Sequence, residues 1–157
     1  MSTSLTTEGD ARLYAKDRSN VSNPQVSVEY TKTITVTSGQ DLTITQKTFL
    51  DRASFYQQDS GKNSHVTAFP TIHKVGESST VGYVNLTGCS NPSFEEITSY
   101  TTNKQLTSTL TCNSLSAGTY EISAYVHARA NENASRDNAS TLATVSDIEL
   151  SIRVTSP

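Results

Sequence analysis

Apolar and polar residues alternate without a break from Thr119 to Arg129. Tyr120, Ile122, Ala124, Val126 and Ala128 share one face; Thr119, Glu121, Ser123, Tyr125, His127 and Arg129 share the other. Period two is the signature of a half-buried antiparallel strand, and Ala117-Gly118 just ahead supplies the turn that leads into it. The same period runs through Val26, Val28, Tyr30, Ile34 and Val36, with Lys32 as the exception and Thr31, Thr33, Thr35 and Thr37 opposite. Ser38 to Asp41 reads as a turn into a second strand carried by Leu42, Ile44 and Phe49, so residues 26–49 predict a hairpin. Leu106, Ser108, Leu110 and Cys112 alternate in turn, and Ile148, Leu150, Ile152 and Val154 alternate with Glu149, Ser151 and Arg153 in a closing strand.

Between these strands the pattern is weaker. Asp51 to Ser64 is polar and predicts an exposed loop. Val66 to Val75 predicts a strand that Pro70 confines to an edge or a bulge, because proline cannot donate to a ladder. Gly76 to Ser79 turns the chain and Thr80 to Thr87 returns it. Asn91 to Tyr100 fits one helical turn, from Asn91-Pro92 and Ser93-x-x-Glu96, or an irregular strand. Asn131 to Ser140 is a polar loop. Seven or eight strands without a convincing helix predict an all-β, antiparallel two-sheet β-sandwich, jelly-roll-like, spanning residues 26–157.

Residues 1–25 are polar and aperiodic, and predict an extended N-terminal arm that orders only by docking. The expectation is that it lies across a neighbouring subunit or another protein; the alternative is a tail held by packing contacts or by its own domain.

Composition sharpens the fold class more than the function. Ser and Thr make up 47 of 157 residues, Trp is absent and the net charge is −3. Threonine suits the wet face of a strand. The absence of a Lys/Arg cluster argues against nucleic acid, and no apolar run is long enough for a membrane-spanning helix. The first residues lack the pattern of a secretory leader, which leaves a cytoplasmic origin or a leader removed earlier. Cys89 and Cys112 could close one bridge or stand as two buried thiols. Four N-x-S/T sequons, at Asn20, Asn85, Asn133 and Asn138, are about what chance gives in a chain so rich in hydroxyls.

No catalytic signature emerges. His65, His73 and His127 are not at metal-ligand spacing, and no nucleophile elbow, P-loop or dinucleotide glycine pattern is present. The loop at 131–138 lacks the carboxylate spacing of a calcium site, and adjacent Glu95-Glu96 point to different sides of either element. Neither an enzyme nor a cofactor is expected.

The run LSAGTYEISAYVHA, with a later IELSIRV, resembles the C-terminal half of jelly-roll domains of the C1q and tumour-necrosis-factor type, in which a Gly-Thr-Tyr lead-in opens an apolar strand. Similar modules serve as decoration, cement and fibre-head proteins of tailed bacteriophages. The resemblance implies a homotrimer in which aromatic residues of one face meet, with Tyr125 among them. The expectation is a non-enzymatic virion protein, made in the host cytoplasm, that binds a major capsid or other shell protein through its arm, where Tyr14 lies. The alternative is a carbohydrate- or receptor-binding module, a fibre head or adhesin domain, with Tyr56 as a stacking platform for a glycan. It would be extracellular had a leader been removed.

Overall fold

The alternating stretches all become strands. The computed structural model describes residues 2–16, 25–57, 64–77, 86–130 and 139–156. Among them are eight strands: β1 (Ser2–Lys16), β2 (Gln25–Val36), β3 (Gln40–Gln57), β4 (His65–Lys74), β5 (Glu96–Ile97), β6 (Thr101–Leu115), β7 (Gly118–Arg129) and β8 (Ala139–Thr155). They form two antiparallel sheets, ordered β1-β8-β3-β6 and β2-β7-β4-β5. First pairs with last, second with seventh, third with sixth and fourth with fifth. That nesting is a rolled-up antiparallel ribbon, the jelly roll.

Strands β3, β4, β6, β7 and β8 turn their apolar phase toward the opposite sheet. Leu42, Ile44 and Leu50 of β3, Leu106 and Leu110 of β6 and Leu150 and Ile152 of β8 face Val66, Ala68 and Ile72 of β4 and Ile122, Ala124 and Val126 of β7 in one core. The lead-in to β7 is pinned by Tyr120. Its ring is buried, its hydroxyl donates to the Ser116 carbonyl at 2.9 Å, and the Lys74 ammonium sits 5.9 Å from the ring centroid.

Three expectations are corrected. Residues 26–49 do not form a hairpin: β2 pairs with β7, and β3 with β6 and β8. A tight turn at 37–39 carries the chain across the core from one sheet to the other, and both strands keep their apolar faces inward. The polar start of the chain is extended, but it is not a free arm beyond the sandwich. Ser2–Lys16 adds to the edge of the first sheet along β8, with Leu13 buried in the core. An edge strand has one ladder partner and needs little apolar content, and the division at residue 25 cuts through the sandwich. Finally, the polar run after Asp51 continues β3 as far as Gln57; residues 58–63 lie outside the described residues.

The register shows why those stretches looked aperiodic. At one level of the sheet Gly9 and Asp10 of β1 oppose the single Ser146 of β8, Ser146 is in turn an extra residue against β3, and Asp51 is an extra residue of β3 against β8. Such bulges reverse the phase of alternation. The inner residues of β3 change from even numbers up to Leu50 to Ala53 beyond it, and those of β8 change from Val145 to Ile148. The Ser146 hydroxyl closes the crease by donating to the Phe49 carbonyl at 3.2 Å.

Residues 86–100 close one side of the sandwich, running from the edge of β6 to the edge of β4 and back. No helical turn forms there; the irregular strand does, as an isolated bridge from Ser93 to Thr109 and the two-residue β5. Cys89 and Cys112 are joined in a disulfide. The backbone follows β6 as far as Ser93, with Ser90 N–H donating to Thr111 O at 2.9 Å and Ser93 N–H to Thr109 O at 3.0 Å. Pro70 sits in β4 beyond the two residues, Val66 and Thr67, that β5 pairs with. The edge position expected of it therefore holds. The predicted return at 80–87 and the predicted loop at 131–140 fall mostly outside the described residues, and Ala139 and Ser140 of that loop already belong to β8.

Candidate functional site

The outer face of β2-β7-β4-β5 is hydroxyl-clad at one end and aromatic at the other. Three cross-strand rows build the aromatic end. Glu29, Tyr125 and Phe69 form one; Ser27, His127, Thr67 and Glu96 form the next; Gln25, Arg129 and His65 form the third. Side chains in opposed positions of a sheet lie close enough to pack, and here they do. Phe69 is 5.2 Å from Tyr125 and 5.3 Å from Phe94, centroid to centroid. Tyr125 and His127 stack at 5.8 Å, and His127 lies 5.6 Å from His65. Phe94, delivered by the segment before β5, is 52 % exposed, whereas Tyr125 beneath the cluster is 9 % exposed.

Polar contacts lock the rings. His65 Nδ1 lies 3.2 Å from Glu96 Oε1, within hydrogen-bond reach of the carboxylate. The Tyr125 hydroxyl is 3.3 Å from Nδ1 of His127. Burial, then the neighbouring His65, then Arg129 lower the pKa of His127 from 6.5 to about 4. This imidazole is therefore neutral at physiological pH. Arg129 Nε is buried and has no hydrogen-bond partner among the described residues.

Tyr125 is held from below as well. Gln46, on the core side of β3 and 1 % exposed, crosses between the sheets. Its Oε1 accepts from Tyr125 N–H at 3.2 Å, and its Nε2 donates to Tyr125 O at 3.1 Å and to Thr48 Oγ1 at 3.0 Å. A buried amide with three of its four bonding capacities used is satisfied, and it fixes the height of β7 over β3.

Of the residues singled out from the sequence, Tyr125 belongs to this cluster and Tyr56 and Tyr14 do not. Tyr56 is 58 % exposed on the outer face of β3, in the other sheet. Arg52, on the same outward phase of β3, lies 5.7 Å from the ring of Tyr100, which is 64 % exposed. Tyr14 pairs by backbone with Leu142 at the edge of that sheet; its side chain lies outside the described residues. Cys89 and Cys112 form the anchor of the side wall. Sequence reasoning missed His65, Phe69, Phe94 and Glu96. The odd-numbered phase of 65–73 (His65, Phe69, His73) was a signal for the first two. Phe94 and Glu96 carried none, because their segment has no period. Among the described residues no group of three or more His, Cys, Asp or Glu is placed to hold a metal.

No protein-family model matches the chain, and no curated protein sequence matches it.

Proposed function

We propose that the chain is a non-enzymatic structural protein of an assembly, of the decoration or cement type, that meets copies of itself or a shell protein through the aromatic end of the β2-β7-β4-β5 face. The observation that carries this reading is the Phe69–Phe94–Tyr125 cluster, with Phe94 half exposed, on a sheet otherwise dressed in threonine. Phe94 is the exposed ring of that cluster, seated on the buried Phe69, which in turn packs on Tyr125, and exposed aromatic side chains of this kind are enriched at interaction sites. The resemblance to trimeric jelly rolls of phage particles supplies the kind of assembly. Docking through the first 25 residues is no longer part of the reading, because Ser2–Lys16 is spent on the protein's own sheet. The test is the native mass in solution of the intact chain and of Phe94→Ser. A trimer that Phe94→Ser converts to monomer supports the proposal. A wild-type monomer that also fails to associate with any shell refutes it.

A second reading, a carbohydrate- or receptor-binding module, is favoured by one separate observation. Tyr56, Arg52 and Tyr100 form an exposed aromatic and cationic strip on the opposite sheet. Glycan-array binding abolished by Tyr56→Ala or Tyr100→Ala would favour it, and a blank array would count against it.

A further inference from the structure

We propose that the outer face of the β1-β8-β3-β6 sheet, beyond the crease at Asp51 and Ser146, binds a saccharide that carries carboxylate groups. Arg52 holds a carboxylate, and Tyr56 and Tyr100 stack on the sugar rings. This rests on the carbohydrate-binding reading of the Tyr56–Arg52–Tyr100 strip and names the class of glycan. Beyond the crease Ala53 and Phe55 fill the core side of β3, so Arg52, Ser54 and Tyr56 turn outward. Tyr100 stands at the entry to β6, whose first residues, Thr101 and Thr102, pair with Ala53 and Arg52. Both tyrosines are more than half exposed. The Arg52 guanidinium lies 5.7 Å from the centroid of Tyr100. A guanidinium laid on a ring is already ordered and keeps its N–H edges free. Among the described residues no carboxylate forms an ion pair with it. Such a fork of donors fits a carboxylate in bidentate fashion.

The register of the sheet changes the charge at the crease. On the near side the row is acidic, with Glu8 opposite Asp147, and exposed Asp51 sits in the crease itself. Beyond it, Arg12 pairs with Thr144, which is opposite Arg52; Tyr14 pairs with Leu142, which is opposite Ser54; and Lys16 pairs with Ser140, which is opposite Tyr56. β1 thus brings two further cationic residues to the levels of Arg52 and Tyr56, two strands or about 10 Å away. Among the described residues these three rows hold no carboxylate. In a chain of net charge −3 a local excess of cations favours an anionic ligand. Nucleic acid is the weaker fit, because its affinity comes from many phosphate contacts at once and three cations on an acidic protein supply few. The hydroxyls of Ser54, Thr102 and Thr144 beside the rings suit a hydroxylated sugar, whose orientation a few placed polar groups can fix.

The experiment is an array of neutral glycans, carboxylate-bearing glycans and the methyl esters of the latter, with single-stranded oligothymidylate alongside, probed with the full chain. Binding is expected on the carboxylate-bearing glycans alone, weakened by added salt and lost on their methyl esters. Arg52→Gln should weaken it about tenfold, the change for one charge-assisted contact, and Tyr100→Ala should weaken it as well. Arg52 is exposed, so the Tm of Arg52→Gln should match that of the wild type, which separates lost binding from lost fold. Equal binding to neutral and acidic glycans overturns this inference and leaves the carbohydrate-binding reading standing; a blank array overturns both. Tighter binding to oligothymidylate than to any glycan overturns the inference, as does binding undiminished in Arg52→Gln.

Discussion

Replacing Gln46 by Met keeps the length and most of the volume of the side chain and removes its hydrogen bonds. Three bonds are lost: those to Tyr125 N–H, Tyr125 O and Thr48 Oγ1. At about 0.5–1.5 kcal/mol net for each buried hydrogen bond, the expected cost is about 2–4 kcal/mol. For a chain of this length that corresponds to a fall of about 5–15 °C in Tm. Thr48→Val removes one of the three and should cost about 1 kcal/mol. Because both variants break the Gln46–Thr48 bond, the double variant should be less destabilised than the sum of the two. Urea denaturation of the oxidised chain measures all three. The stability change should also appear at the surface, since Gln46 sets the position of Tyr125, on which His127 stacks. The His127 ring resonances should shift in Gln46→Met and stay nearly unmoved in Thr48→Val. A Gln46→Met variant within 1 kcal/mol of wild type, or one whose His127 resonances do not move, would refute the claim that this amide holds the site from within the core.

His127 makes stability depend on pH. Its folded pKa lies below its ordinary value, so its contribution is complete above pH 6.5 and declines as the pH falls to about 4. After allowance for the part of the ring that water reaches, the loss is about 1–2 kcal/mol, and a pH series of denaturation curves should show it flattened in His127→Phe. Replacing Cys89 and Cys112 by Ser opens a loop with a sequence separation of 23 and should cost about 3 kcal/mol; matching stabilities with and without reductant in the wild type would contradict that. Gly88 has φ +87°, and a Cβ there would strike the Asn113 carbonyl; Gly76 has φ +91° and open space around it. Gly88→Ala should therefore cost more than Gly76→Ala, which carries backbone strain alone at about 1 kcal/mol. Thermal denaturation of the pair decides it.

What could be read from the chain, and what could not, divides at the bulges. Where alternation keeps one phase, as in β2, β6 and β7, residues and faces were legible because a strand with one dry side has no other way to place Ile122 or Leu110. The phase reversals at Asp51 and Ser146, and the one-residue bulge at Gly9-Asp10, line up only when β1, β8 and β3 stand side by side. Read singly, each looks like the end of a strand. The turn at 37–39 misled for a related reason: a short connection joins strands within a sheet or across a core, and local sequence does not separate the two. The aromatic face shows the same limit at the level of function. Tyr125 and His127 declared their outward phase. Their importance comes from Phe69 and His65 on a strand some sixty residues earlier, from Phe94 and Glu96 on a segment without period, and from Gln46 reaching up through the core. Pairing β7 with β4, and β4 with β5, assembles the cluster; no stretch of the sequence contains it. The same pairing that hid the cluster makes it testable, because a change at Gln46, on the far side of the core, should be felt at His127.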